Sequence, residues 1–522
     1  MRPVRARRHG WVVALLAALL GMVATLPSET GGAAPKSTAT LRAQLTATLS
    51  SSTFPQPNWI DTVGPIALSS PTVATIDGVD AVVFGSEDGE LYVVNAATGV
   101  NLPGWPEQVR LSGGAPTAIE SSPTVAFLDG PSRPPSIIVG AGSTYVADQQ
   151  GGLVAFNEDG TVRFTFHTKD TFNEWSGATN PAPIGYDNGV FSTPAVGDIT
   201  GKGQQDIVFG AWDHFLYALT PKGTLVPGFP IDTEDTIWSS PALAHVRGKA
   251  TQDDIFVGGD ASGRRGCYGG FVYDVTYVVK KRAPKMAWQH CENQTIWSSP
   301  AVGVINSTGR LALVVGTGFG ETPPYKSDTN KLFAFYAKNG ATVPGWPVAT
   351  AGPTFGSPAI GLVGASTTPV VVDTSWCTSC GASPGSSMVF AWSGDGTELW
   401  SQTLNGAQDF ASPILVDLTG SGENDVVVGA ASGLYPLDGS TGDFLFGTSQ
   451  SQAINTCSEQ GAPAVADIPQ TGWQLFESCG GPHELIATGR LIDYPLPTAP
   501  ATTPPWPMWR QNPPHDGVAS PS

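Results

Sequence analysis

The sequence predicts an all-β protein: an eight-bladed β-propeller of four-stranded antiparallel blades, with seven blades as the alternative. Three observations predict it. A small residue and a proline before a short apolar run recur eight times, at Ser70-Pro71, Ser122-Pro123, Thr193-Pro194, Ser240-Pro241, Ser299-Pro300, Ser357-Pro358, Ser412-Pro413 and Ala462-Pro463. The prolines stand 47 to 71 residues apart, a period of stacked or radial repeats. Each unit holds four strand-like segments, whereas a sandwich needs about seven, and no stretch sustains a 3.6-residue apolar period.

The four segments keep one order. The first starts at the repeat proline. The second is β-branched and ends in glycine, as in Ala81–Gly85, Asp206–Gly210, Asp425–Gly429 and Leu485–Gly489. Such runs read as strands buried on both faces. The third alternates aromatic and aliphatic residues, as in Leu91-Tyr92-Val93-Val94 and Leu332-Phe333-Ala334-Phe335. The fourth carries a large aromatic, as in Gly104-Trp105-Pro106, Gly228-Phe229-Pro230, Gly345-Trp346-Pro347 and Leu399-Trp400. Asp-Gly turns such as Glu87-Asp88-Gly89 and Glu158-Asp159-Gly160 join neighbouring segments, since tight hairpins favour positive φ. In the last repeat, Trp506-Pro507-Met508-Trp509 matches the fourth segment, which predicts a ring closed without a swapped strand.

The ends carry different information. Arg2, Arg5, Arg7 and Arg8 precede a short apolar run from Trp11 to Val23, the pattern of an export signal over residues 1–34. Residues 35–64 read as a Ser/Thr/Pro-rich linker, 65–511 as the propeller and 512–522 as a polar tail. The chain should therefore be secreted or displayed at the cell surface, with no membrane span once the signal is removed. A net charge of −18 disfavours nucleic acid as a partner.

All six cysteines lie in the second half. An even count in an exported chain implies disulfides, and order suggests Cys267–Cys291, Cys377–Cys380 and Cys457–Cys479. The Cys377-Thr378-Ser379-Cys380 segment looks like a thioredoxin motif, but Gly381, Pro384 and Gly385 leave no clean start for the helix that would activate it. It is read as a loop staple.

Phe446-Gly447 followed by Gly461-Ala462-Pro463 resembles the FG-GAP/VCBS family of secreted propellers, which includes integrin α-chain repeats. Gly85–Tyr92 and Leu219–Thr224 are also similar to PQQ-like propeller repeats. The first resemblance implies calcium in an aspartate-rich loop between strands one and two. Asp417, Thr419, Ser421 and Asp425 approach that pattern, since alternate oxygens on a tight glycine-containing loop suit calcium. The Asp198–Asp206 loop places Lys202 at a ligand position. No other cofactor is expected: the adjacent cysteine pair of the quinoprotein dehydrogenases is absent from the sequence.

A ligand is expected on the face formed by the 4→1 and 2→3 connections, where Ala141–Gly151, His167–Gly189, Gly259–Gly270, Gly318–Asn330 and Asp373–Ser387 form long insertions. The residue three before each repeat proline is aromatic in five consecutive repeats: Phe191, Trp238, Trp297, Phe355 and Phe410. These aromatics read either as a ligand platform or as packing between blades. Trp238, Trp297, Phe355 and Phe410, with Trp175 from the longest insertion, are the candidate binding residues. No catalytic constellation emerges. The chain reads as a non-enzymatic binder of an extracellular protein or polysaccharide. The alternative is a polysaccharide lyase or glycosidase, or a quinoprotein, on the same scaffold.

Overall fold

The computed structural model describes residues 53–519, except 112–113, 143–149, 170–187, 249–251, 261–266, 268, 319–327, 378–385, 407–409, 447–452, 456, 459 and 481–487. The expected export signal and most of the expected linker lie outside the described residues. So do Trp175 and Cys380.

Eight antiparallel sheets make eight blades. Seven have four strands. The blade built from Ile414–Val416, Asp425–Ala430 and Gly433–Leu437 has three among the described residues, with one further bridge from Leu437 to Phe444. Among the described residues helix is confined to one 3-10 turn, Val279–Lys281. No described helix is long and apolar enough to cross a membrane.

The repeat motif has a physical explanation. The proline begins the inner strand, and the hydroxyl just before it links neighbouring blades. Ser70 N–H donates to Ser122 Oγ (3.0 Å), Ser122 to Thr193 (3.2 Å), Thr193 to Ser240 (2.9 Å) and Ser240 to Ser299 (2.8 Å). Ser299 donates to Ser357 (3.0 Å), Ser357 to Ser412 (2.7 Å) and Ala462 to Ser70 (2.9 Å). Ala462 has no hydroxyl and is the one break in this ring. A buried N–H that no sheet can reach is thereby satisfied in blade after blade. The preceding serine serves strand two: Ser69 and Ser239 accept from Gly85 (2.8 Å) and Gly258 (3.0 Å). That strand ends in glycine because the next blade lies against it. A Cβ on Gly210 would come within 2.2 Å of Ile237.

Outer-strand tryptophans tie each blade to the next. Trp105 Nε1 donates to the Glu158 carbonyl (3.1 Å), Trp346 to Gly394 (3.2 Å) and Trp400 to Gly439 (2.8 Å). The glycine before the tryptophan sits on the neighbour's turn. Gly345 has φ +90°, and a Cβ there would stand 1.7 Å from the Asp395 carbonyl oxygen.

Closure differs from the sequence expectation. The last blade takes its outer strand from the N-terminus: Trp59–Val63 pairs with Gly489–Pro495, outside Gly472–Cys479 and Ala464–Ile468. Trp59 Nε1 donates to the Ala96 carbonyl of blade one (3.2 Å), the contact that the other outer tryptophans make. The propeller thus begins before residue 65. Strand two of this blade is Gly472–Cys479, not Leu485–Gly489.

The segment from Trp506 onward is instead a plug. It runs around the inner strands, its carbonyls accepting N–H groups from Leu415 (Trp506, 2.9 Å), Val465 (Pro507, 2.8 Å), Val125 (Pro513, 3.0 Å), Val196 (Pro514, 3.0 Å), Leu243 (Asp516, 2.8 Å) and Val302 (Gly517, 2.9 Å). Inner-strand N–H groups of six of the eight blades are engaged. Arg510 is fully buried and donates to the Pro241 (2.7 Å) and Pro300 carbonyls. His515, also buried, is within 2.9 Å of the Pro123 carbonyl and 3.0 Å of Thr72 Oγ1. The residues expected to form a polar tail therefore occupy the channel as far as Ala519.

Burial favours the protonated form of several carboxylates, pushing Asp493 and Asp213 up to about 7 and Asp206 and Asp253 up to about 6. The unfolded chain loses these protons near 4, so between about pH 4 and 7 the native state binds more protons and stability falls as pH rises. Burial pulls His515 down to about 4, which opposes the trend between about pH 4 and 6.5. The thermal midpoint is expected to be higher at pH 5 than at pH 8, with a smaller gap in Asp493→Asn. A midpoint that rises from pH 5 to 8 would contradict this.

Candidate functional site

The inner strands begin on the face of the 4→1 and 2→3 connections, so the residues three before each proline ring the channel mouth. All eight, Leu68, Glu120, Phe191, Trp238, Trp297, Phe355, Phe410 and Gln460, line one cavity with Ser70, Ser122, Thr193, Ser240 and Ser299 of the hydroxyl ring. Trp509 of the plug forms its floor, donating from Nε1 to Thr193 Oγ1 (3.0 Å).

The aromatics pack on one another across neighbouring blades. Trp238 stacks on Trp297 at 4.7 Å between ring centroids, and Trp297 on Phe355 at 4.9 Å. Phe191 meets Trp238 at 4.9 Å, and Phe410 crosses the mouth to lie 5.7–6.3 Å from Phe191, Trp238, Trp297 and Phe355. The space left beneath them is about 40 Å³, enough for a few waters. Trp238, Trp297 and Phe410 are half-buried, whereas Phe191 and Phe355 are buried. The mouth therefore offers an aromatic surface, not a deep pocket.

Polar groups fix that surface from the side of blades three and four. Asp260 accepts from Trp297 Nε1 (2.9 Å) and Thr236 Oγ1 (3.0 Å), so the indole plane is set before any ligand arrives. Glu234 and Asp235 are buried in the same 4→1 connection, and Glu234 adopts φ +75°. A non-glycine residue there stores local strain. Trp212, 4.4 Å from Trp238, extends the cluster. Beside it Asp213 accepts from the Lys169 N–H (2.8 Å) and the Tyr217 hydroxyl, and burial raises its carboxyl to about 7.

Four of the five expected binding residues thus converge, and Trp175 lies outside the described residues. The sequence reading missed Trp212, Asp260 and Trp509 as part of this cluster. Trp212 follows a strand-two glycine and Asp260 a Gly-Gly pair, positions that only the blade register brings to the mouth. Asp373–Ser387 is less of a loop than expected, since its flanking strands are Val370–Cys377 and Ser386–Ser393.

The loop expected to hold calcium lies on the opposite face. Asp417 accepts from the N–H groups of Ser421 (3.0 Å), Gly422 (2.8 Å) and Ala501 (3.0 Å), and Asp425 from Leu418 (3.1 Å) and Gly439 (3.3 Å). Thr419 and Ser421 bond to each other (2.9 Å). N–H donors aimed at both carboxylates close this turn on its aspartates. Among the described residues no three His, Cys, Asp or Glu side chains are grouped to hold a metal.

Two expected disulfides are present. Cys267–Cys291 joins blade four's 2→3 connection to the end of its outer strand, and Cys457–Cys479 joins the connection into blade eight to the end of that blade's second strand. Both are consistent with an oxidising compartment. The Cys377–Cys380 pairing depends on Cys380, outside the described residues.

No family model matches the chain, and no curated protein matches it. The FG-GAP/VCBS resemblance therefore rests on its motif residues alone. Solved structures do match. The V. cholerae biofilm matrix protein Bap1 is 14% identical, with 90% of this chain and 97% of that one covered at a TM-score of 0.56. A quinohemoprotein alcohol dehydrogenase from Comamonas testosteroni is 14% identical over 86% of this chain and 78% of that one, at 0.42. Saccharomyces cerevisiae Sqt1 is 8% identical over 84% and 98%, at 0.49. Identities this low speak to fold alone: the chain is an eight-bladed β-propeller.

Proposed function

We propose that this protein is a secreted, non-enzymatic propeller that binds an extracellular polysaccharide or protein through its loop-rich face, with the aromatic mouth as the contact surface. The observation that carries the reading is the convergence of Trp238, Trp297, Phe355 and Phe410 on one half-exposed surface. Rigid aromatics with a polar handle gain contact area at little entropic cost. The hydrogen bond from Trp297 to Asp260 holds the indole as a fixed stacking plane, the kind of surface that suits a sugar ring. The biofilm matrix description belongs to the V. cholerae protein, and it is compatible with this reading.

Trp238→Ala and Trp297→Ala should each weaken ligand binding by about 2 kcal/mol or more, roughly 30-fold, with only a small shift in melting. Affinity measured beside thermal melting decides it. Unchanged affinity with a collapsed melting point would make the aromatic mouth purely architectural. Turnover of a polysaccharide, lost on mutation of acids on this face, would replace binding with catalysis.

A further inference from the structure

On the face opposite the mouth, the groove between blades four and five opens into a cavity of about 190 Å³ lined by His245, Val246, Arg310, Leu311, Tyr336 and Lys338. His245 and Val246 follow blade four's inner strand, Ala242–Ala244. Arg310 and Leu311 lead into and begin blade five's second strand, Leu311–Gly316, and Tyr336 and Lys338 close its third, Lys331–Tyr336. Three of the six side chains are cationic or can become so, in a chain with 26 Lys and Arg against 44 Asp and Glu.

That concentration is not consumed by local ion pairs. Arg247, next along the chain, is paired with the buried Asp254 and Asp274. Arg310, Lys338 and His245 have no ion pair among the described residues. Asp253 interacts electrostatically with His245. The Arg310 guanidinium lies over the Tyr336 ring, 3.5 Å from its centroid, and donates to Asn339 Oδ1 (3.4 Å). Stacking holds the planar fork in place and leaves other N–H donors for a ligand. Arg247 Nη2 donates to the Lys338 carbonyl (3.1 Å), which fixes the turn that carries Lys338. Leu311 and Val246 supply an apolar wall.

We propose that this groove is an oxyanion site that takes a carboxylate or sulfate group, which on the polysaccharide reading above belongs to an acidic sugar unit. A guanidinium fork matches either group bidentately. The cavity is smaller than the roughly 300–1,000 Å³ of pockets for drug-sized ligands, which suits one charged unit. The same chemistry is offered by a free inorganic anion, and the test separates the two. It is independent of the aromatic mouth, since Trp238 and Trp297 variants leave this groove intact.

Calorimetric titration of the full chain with sodium sulfate, a uronic-acid trisaccharide and a neutral trisaccharide tests the site. Both anions are expected to bind and the neutral sugar not to bind. The double variant Arg310→Gln/Lys338→Gln should weaken anion binding at least tenfold with an unchanged melting point, because both side chains are exposed, and 0.5 M salt should weaken it too. Sulfate binding alone, lost in the variant, would keep the oxyanion site and assign it to a free anion. Absence of binding by either anion, or binding that the double variant leaves unchanged, would overturn the proposal.

Discussion

Removal of residues 506–522 is expected to abolish the stable propeller. The plug supplies carbonyl acceptors to six inner-strand N–H groups and buries Trp506, Met508, Arg510 and His515 inside the channel. Each buried N–H left without an acceptor costs about 1–3 kcal/mol. Water entering the emptied channel offsets part of that loss, and loss of the Trp506 and Met508 side chains adds several kcal/mol more. The net exceeds about 5 kcal/mol, comparable with the whole stability of many domains. Differential scanning calorimetry of the truncated chain should show either no cooperative transition or a midpoint lowered by more than about 5 °C. A truncated chain that melts within a few degrees of the full one would mean that the plug is a passenger. Arg510→Met is the milder companion. It removes a buried cation held by the Pro241 and Pro300 carbonyls, so its effect should be a fraction of the truncation's.

Loss of the closing strand should be nearly as costly. A chain that starts at Gly64 lacks Trp59–Val63, leaving Gly489–Pro495 as an exposed edge and opening the ring between the last blade and the first. An unpaired edge is also a template for association with other chains. The expected outcome is a drop of about 3–5 kcal/mol in stability, with concentration-dependent aggregation seen by light scattering. Trp59→Ala keeps the backbone pairing and removes the anchor on Ala96 and the ring contact with Phe476, so it should cost about 1–3 kcal/mol without aggregation. Equal stability of the shortened and full chains would refute closure by the N-terminal strand.

These two segments also mark where the sequence was hard to read. The repeats were legible because each encodes its own contacts. The hydroxyl before proline, the glycine ending strand two and the tryptophan of the outer strand recur with the blades they join. The closing strand was not legible because it is separated from its sheet by more than 400 residues, and only Trp59 among polar and proline-rich neighbours hinted at an outer-strand anchor. Trp506 offered the same hint more strongly and was misleading. The plug was hidden for a different reason: it binds through carbonyl oxygens, which every residue has. Its proline-rich, polar composition resembles that of a solvated tail.

The aromatic mouth was legible as a recurring position, because one residue per repeat at one offset from the proline must form a ring. Its surroundings were not. Asp260 meets Trp297 only because adjacent blades bring a 2→3 connection beside the next strand-one entrance, and Trp509 reaches the mouth only through the plug. The two paired disulfides followed from order along the chain, since each spans a short separation, 24 and 22 residues.

The most direct test of the binding account is a glycan array probed with the full chain and with the double variant Trp238→Ala/Trp297→Ala, alongside a pull-down of extracellular proteins by the same two chains. The account predicts that the full chain retains a defined set of polysaccharides, or failing that a defined protein, and that the folded double variant loses it. Retention of the same ligand by the double variant, with its fold intact by circular dichroism, would contradict the assignment of the aromatic mouth as the site.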